Sequence, residues 1–434
     1  MPEWPYLLRS RKRLVLPSLF IRPSTLGEAE IVYKTFSEHP DETNEIAGYV
    51  CSMKDWPTLA PVLSDIAPRI TPDTDHFKRK IRMIDPDIHI LFTGTRAAKQ
   101  ALMEVPLDKG TLGDLTIPGV MGPVPFRRVL KAAMGEVLSN KAQNYADRFY
   151  SHINRITHPL EKFQIDENMD IIIGSYVPIT SLSVASRQIE EERHLIRDSV
   201  RMFRDVFTTA SRTREFMAMI AVNANILSSE YSDMILELAV ESGADHIGLK
   251  LLNFDDKDPA RASAVLRFVG EVRSRLDEQN KSAPIHLFNV MSEFGYAAFC
   301  HGAASAVAPL ATIPELHFDP NNPVSPELKG RYYHPIDLTY DTYEELCVKT
   351  QINSFALPCS CPACRDSETV IKALARWPSL RKEHWIFDKS EEMGEIREVP
   401  ASTLNIHLRD KFARSQATSY LPYLDYMYMY PYSS

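Results

Sequence analysis

The sequence predicts an α/β protein, a (β/α)8 TIM barrel with a C-terminal zinc-binding subdomain. Three observations predict it. Apolar runs of strand length alternate with amphipathic helical stretches through the middle of the chain. No G-x-G-x-x-G follows any of those runs, and a C-x-C-x-x-C cluster lies beyond the last of them. Near-continuous apolar strands are what a parallel sheet needs when helices cover its outer face. The missing glycine fingerprint sets aside the usual dinucleotide-binding alternative. Five strand-helix units in a row, with more before them, favour a closed barrel over an open sheet.

The first 165 residues carry the weakest rhythm. Runs at 46–50 and 88–92 read as strands, about three strands are expected in all, and Pro57, Pro61, Pro68, Pro72, Pro118, Pro123 and Pro125 punctuate the loops. The alternation then becomes regular. A short apolar strand at 170–173 precedes a helix marked by Ile189, Ile196, Val200, Phe203 and Phe207. A strand at 216–222 precedes a helix through Met234, Ile235 and Leu238 that Gly243 ends. A strand at 246–252 precedes a helix marked by Val265, Phe268, Val269, Val272 and Leu276, and a strand at 285–290 leads through a short helix to one at 305–308. Proline and polar residues rise after 311. The expected division is a barrel over 1–312, a zinc-binding subdomain with closing helices over 313–420, and a tyrosine-rich tail over 421–434.

Composition bounds the rest. With 434 residues, 44% hydrophobic and 24% charged, the chain has an ordinary globular make-up. A net charge of −8 gives no global attraction to nucleic acid, so such a partner would have to be met by local basic patches. No window approaches the ~20 apolar residues of a membrane span. Arg9, Arg11, Lys12 and Arg13 precede no apolar signal core, and the expectation is a cytoplasmic protein without a membrane partner.

Three of the six cysteines, Cys359, Cys361 and Cys364, fall within six residues. Three thiolates on one short loop can take three corners of a zinc tetrahedron, with a later residue closing it. The other three cysteines are scattered singly, as in a reduced compartment. His384 lies twenty residues past Cys364, after a charged run that reads as solvent-facing. His407 lies forty-three past it, where Leu404 and Ile406 lead into a helix-like stretch holding Leu408 and Phe412. His407 is favoured over His384, because a zinc ligand needs rigid support.

A barrel running into C-x-C-x-x-C, with a later His in an I-H-x-L context, resembles the tRNA-guanine transglycosylase superfamily: the queuine and archaeosine transglycosylases and their DNA-modifying relatives. The helix from Glu190 to Phe207 is similar to the family's SMRWAKR helix. Residues 219–223 resemble its FGIVQGG strand, with Asn223 where the base-binding Gln would stand. Residues 285–290 resemble its HLMGVG strand and residues 302–305 its GVDMFD strand. The departures are as informative. The family's nucleophilic Asp falls at about Val307. The TDSGGFQ turn falls on residues 116–122, which hold no carboxylate, the guanine-reading Asp at about Tyr176, and the paired glycines near Lys250 and Leu251.

The resemblance therefore implies an enzyme of the nucleobase N-glycosidic bond acting on nucleic acid, DNA favoured and RNA the alternative, with a structural zinc ion and pairing into a homodimer. Base exchange needs a lasting covalent sugar intermediate, hence a positioned carboxylate. Excision needs only water and charge stabilisation. The favoured reading is a DNA glycosylase that excises a modified base, in antiviral defence. The alternatives are base exchange of the guanine/7-deazaguanine type, or a non-catalytic subunit of such an enzyme. Strand-end carboxylates are the catalytic candidates: Asp255, Asp256 and Glu293, with Asp55 a further option. Tyr176, Asn223 and Lys250 are the base-binding candidates. Basic runs at 9–13, 76–82, 127–131 and 409–414 are candidate phosphate contacts, if they share the barrel's mouth.

Overall fold

The computed structural model describes residues 5–63, 80–88, 160–310, 332–334, 339–341, 348, 359–365, 376–414 and 418–424. Its centre is an eight-stranded parallel sheet curled into a nearly closed barrel. A short antiparallel hairpin, β1 (Pro5–Leu7) and β2 (Arg13–Val15), precedes it. The barrel strands follow in chain order: β3 (Ser18–Arg22), β4 (Ile46–Ser52), β5 (Ile81–Asp85), β6 (Ile171–Ile173), β7 (Glu215–Asn223), β8 (His246–Leu252), β9 (Ile285–Phe288) and β10 (Ser305–Pro309). Each pairs with its sequence neighbour except β5 and β6, the two ends of the sheet order, and β10 returns to β3. At the β5–β6 seam the Asp170 amide donates to the Arg82 carbonyl (3.0 Å), and the Arg82 amide donates to the Asp170 carboxylate (2.9 Å). These contacts bridge the two edge strands at the seam.

The expected (β/α)8 architecture is the observed one. The run at 246–252 is β8 residue for residue, and those at 170–173, 216–222, 285–290 and 305–308 become β6, β7, β9 and β10 with ends shifted by one or two residues. The early chain departs from expectation. The third strand is β5 at Ile81–Asp85, which begins in the last two residues of the run read as basic, rather than at 88–92; Ile88 follows the strand, and 89–92 lie outside the described residues. Ile81, Met83 and Ile84 are fully buried, while Lys80 donates to the Thr43 and Ile46 carbonyls (2.6 and 2.7 Å). The charge that disguised this strand is tied to backbone at its end. β3, whose apolar core is only Leu19, Phe20 and Ile21, gave too short a run to name.

Helices cover the barrel. α1 (Leu26–Glu38) follows β3, α2 (Trp56–Leu63) follows β4, and α3 (Ala185–Asp205) follows β6. α4 (Ser232–Glu241), α5 (Pro259–Glu278) and α6 (Ser292–Cys300) follow β7, β8 and β9. Thr25 caps α1 by accepting from the Glu28 amide, and Asp258 caps α5 by accepting from Ala260 and Arg261, with Pro259 in the first turn.

After β10 and the short hairpin β11 (Tyr332–His334) with β12 (Thr339–Asp341) comes α7 (Trp377–Glu398), then α8 (Leu404–Ala413). α7 stands where the eighth barrel helix belongs. Lys382 reaches Glu28 at the start of α1 (2.6 Å), on the C-terminal side of the strands, while Arg397 is paired with Glu45 and donates to the Pro17 carbonyl (2.9 Å), on the N-terminal side. The helix thus runs the height of the barrel wall. Its Trp385, Ile386, Met393 and Ile396 belong to the barrel's own apolar core. No helix among the described residues is long and apolar enough to cross a membrane.

Among the described residues the basic runs do not gather at the mouth. Arg9 pairs with Asp245 (2.6 Å) and Lys12 with Asp170 (2.9 Å), both at the N-terminal end of the strands beside Lys80 and Arg82. The run at 127–131 lies outside the described residues. On α8, Lys411 pairs with Glu395 (2.7 Å), and Arg409 and Arg414 are exposed.

Candidate active site and metal centre

In a parallel barrel the C-terminal ends of the strands form the face where reactive groups converge. There the chain assembles a buried polar cluster. Asp85 is the last residue of β5; Pro86 ends the strand, and Asp87 sits in the left-handed region (φ 53°). Asp and Asn tolerate that conformation through local hydrogen bonds, and here the Asp87 amide donates to the Asp85 carboxylate (2.9 Å). The turn points both carboxylates at Lys250, near the end of β8. Its ammonium lies 2.5 Å from Asp85 and 2.7 Å from Asp87. The Tyr176 hydroxyl, just past β6, donates to Asp85 (3.1 Å) and accepts from Lys250 (3.1 Å). Arg22, ending β3, donates twice to Asp87 from one nitrogen (2.9 and 3.1 Å). Its other terminal nitrogen reaches the Asn289 side-chain carbonyl (3.0 Å) and lies 3.4 Å from Asp85. Asn289, just past β9, is also left-handed (φ 63°).

Two carboxylates and two cations make the cluster neutral overall, which limits the cost of burying them. The side chains of Asp85, Asp87 and Lys250 have no exposure, while Arg22 retains 18%. Burial first, then the two neighbouring carboxylates, pushes the Tyr176 hydroxyl well above the usual tyrosine pKa, so it remains a proton donor to Asp85. The arrangement is a preorganised set of fixed charges, two negative and two positive, oriented by strand ends in a water-poor site.

Of the residues singled out from sequence, Tyr176 and Lys250 meet in this cluster. Asn223 does not. Its side chain donates to the Thr180 carbonyl (3.1 Å) and accepts from the Asn225 amide (3.1 Å), shaping the turn after β7. Asp255 accepts from the Lys257 amide (3.0 Å) ahead of the Asp258 cap. Asp256 accepts from the Tyr420 hydroxyl (2.6 Å), and burial first, with Glu293 nearby, raises its pKa. Glu293 pairs with the buried Lys389 of α7 (2.7 Å), which also holds Glu392 (2.9 Å). This second ionic cluster fastens α6 to α7 outside the strands. Val307 is buried at the middle of β10, a strand without a carboxylate. Arg22, Asp85, Asp87 and Asn289 were missed. The available signal was the D-P-D at 85–87, since an Asp closing an apolar run before Pro sits at a strand's C-terminal end.

The metal centre corrects one ligand. Cys359, Cys361, Cys364 and His384 place their ligand atoms within 4.8 Å of one another, and His407 is not among them. His384 Nδ1 lies 3.4 Å from Cys361 Sγ and 3.3 Å from Cys364 Sγ. A tetrahedral zinc ion with ordinary bond lengths sets such N···S edges at about 3.6 Å, so the donor set fits. His384 Nε2 points the other way, to the Tyr333 carbonyl (2.6 Å), with the Asp388 carboxylate 2.7 Å off. That partner fixes the ring and leaves Nδ1 for a metal. Tyr332 stacks on the imidazole (4.0 Å, 6°) and approaches Cys364 Sγ (3.2 Å). Three thiols and one imidazole complete four-coordination, so a zinc ion there would tie the connection after β10 to α7 and supply no chemistry.

The reason His384 was passed over is physical. Its charged neighbours are buried or half-buried in ion pairs: Arg376 pairs with Glu383 (3.0 Å) and Lys382 with Glu28 (2.6 Å), and His384 is fully enclosed. His407 is on α8, half-exposed, beside Glu395, Glu398 and Ile406 in an open groove. No protein-family model matches the chain, and none of the curated proteins compared with it matches either.

Proposed function

We propose that the barrel mouth cleaves an N-glycosidic bond in nucleic acid, most simply as a DNA glycosylase that releases a modified base to water. The observation that carries this reading is the Asp85–Asp87–Lys250–Arg22–Tyr176 cluster at the strand ends. Breaking a C1′–N bond builds positive charge on the sugar, and fixed carboxylates stabilise that charge. The resemblance to the transglycosylase superfamily, with the Cys3His cluster after the last barrel strand, supports the same bond and a flipped-out base as substrate.

The partners of the two carboxylates favour hydrolysis over exchange. A nucleophile that holds a sugar until a second base arrives needs a free lone pair. Asp85 and Asp87 are each held by Lys250 and Arg22, which lowers their nucleophilicity and fixes their position. Where the family's nucleophile would stand, β10 offers Val307. Water is therefore the acceptor.

Incubation of the protein alone with normal and modified DNA and RNA tests this, read by mass spectrometry of released bases and by alkaline cleavage at abasic sites. Release without incorporation of added free 7-deazaguanine is expected. Incorporation would replace excision by base exchange, and no release from any substrate would leave the subunit reading.

A further inference from the structure

We propose that Asp55 is the proton donor of the mouth: it protonates the departing base, while the Asp85–Asp87 pair steadies the sugar. This rests on the glycosidic reading above. The geometry is specific. Ser52, the last residue of β4, is in register with Asp85, and the Met53 amide donates to the Asp85 carbonyl (2.8 Å). Asp55 follows two residues later on the same rim. Its backbone carbonyl accepts from the Thr58 and Leu59 amides (2.9 and 3.1 Å), which anchors it to the first turn of α2.

Its access to water sets it apart. The Asp85 and Asp87 side chains are fully enclosed, whereas that of Asp55 keeps 20% of its surface. An enclosed, doubly paired carboxylate cannot exchange a proton in each turnover, but a rim carboxylate can. The groups facing Asp55 are Lys54 on its own loop (2.6 Å), Asp87 beyond β5, Arg22 at the end of β3 and the Cys51 thiol of β4. Burial is the largest influence and raises its pKa, with Lys54 opposing and Asp87 assisting. A partly exposed rim carboxylate whose burial favours its protonated form suits the role of acid.

The step balances without a further reagent. The Asp55 carboxyl proton passes to a ring nitrogen of the base as the C1′–N bond breaks, its electron pair leaving with the base. Water adds its oxygen to C1′ and returns a proton to the Asp55 carboxylate. The products are the free base and a hemiacetal sugar.

The test uses the full-length protein and two single-stranded oligonucleotides of one sequence. One carries 7-deazaguanine, which needs a proton to leave; the other carries 7-methylguanine, which is already cationic and does not. Asp55→Asn should slow 7-deazaguanine release about 10²-fold or more, the scale of a general acid, and change 7-methylguanine release by less than about 3-fold. The wild-type rate should fall on the alkaline side, that limb should flatten in the variant, and Asp55→Glu should restore part of the rate. Equal losses on both substrates, or no loss on either, overturn the assignment while leaving the glycosidic reading in place. If the wild type releases neither base, the glycosidic reading fails and the assignment with it.

Discussion

Both ends of the barrel lumen are polar and buried, and they are built from different chemistry. At the C-terminal end, Lys250 and Arg22 hold Asp85 and Asp87 among Tyr176 and Asn289. At the N-terminal end a chain of hydrogen bonds runs from Glu215 to His246, then from His246 to His286 (2.8 Å) and from His286 to the Ser305 hydroxyl (2.6 Å). The Tyr6 ring of the β1–β2 hairpin packs edge-on over His246 (5.4 Å). His246 and Lys250 are four residues apart on one strand, so alternation points both to the same face, one at each end. The base joins four successive strand starts in single file and is sealed by the hairpin. The mouth crowds four charges around one another and includes two left-handed residues. A satisfied chain under a plug is how a barrel closes its floor; paired opposite charges on strained strand ends are how one builds a reacting field. Function is expected at one end and stability at the other.

The largest expected effect removes the brace that ties the mouth-side connection to α7. His384→Ala should take bound zinc from about one per chain to none, whereas His407→Ala should leave it at about one, since four-coordination is complete without it. Metal analysis of both variants decides. Zinc retained in His384→Ala would mean that the Tyr333 carbonyl and Asp388 hold the ring for packing alone.

Next comes the mouth itself. Lys250→Met leaves Asp85 and Asp87 enclosed with only Arg22 between them. Removing one partner of a buried ionic cluster costs about 3–5 kcal/mol, to be read by chemical denaturation. Asp85→Asn keeps the shape and removes one field charge. It should lower base release about 10²- to 10³-fold with a smaller loss of stability. His286→Gln at the other end should leave the rate unchanged. A His286→Gln variant as slow as Asp85→Asn would erase the distinction between the ends.

What the sequence disclosed divides along the same line. β8 was read residue for residue because a strand buried on both faces is an unbroken apolar run, and its single charge, Lys250, faces the lumen. The zinc cysteines were plain because three thiols in six residues suit a metal ion and, as an odd number, cannot all pair as disulfides among themselves. β5 and α7 were misjudged for one shared reason. Lys80, Arg82 and Asp85, and again Arg381, Glu383, His384, Asp388, Lys389 and Glu392, look like solvated charge in one dimension, while the fold buries or half-buries them with partners far along the chain. Asp85 meets Lys250 across 165 positions, and Lys389 meets Glu293 across 96. No local pattern carries that pairing. The same distance hid the partner of Glu293, which the fold pairs with Lys389 between two helices.

The smallest effect is a pH dependence confined to the floor. Burial, and then the neighbouring His246, hold the His286 pKa well below the usual histidine value. The folded state keeps the ring neutral, while the unfolded chain takes up a proton near pH 6.5. The unfolded state therefore binds more protons below that pH. The stability due to a neutral His286 is complete above about pH 6.5 and declines as pH falls toward the folded-state value, by up to about 1.4 kcal/mol per pH unit. The groups facing the ring are His246, backed by Glu215, the Ser305 hydroxyl and the edge of Phe20. His286→Gln should be less stable than the wild type at pH 7.5, and that gap should narrow at pH 5.5, where the wild type alone loses this contribution. Urea denaturation of both proteins at the two pH values measures it. A gap that stays constant would mean that His286 is protonated in the folded floor, with the charge of Glu215 reaching it through His246, and the two ends of the lumen would then both be ionic.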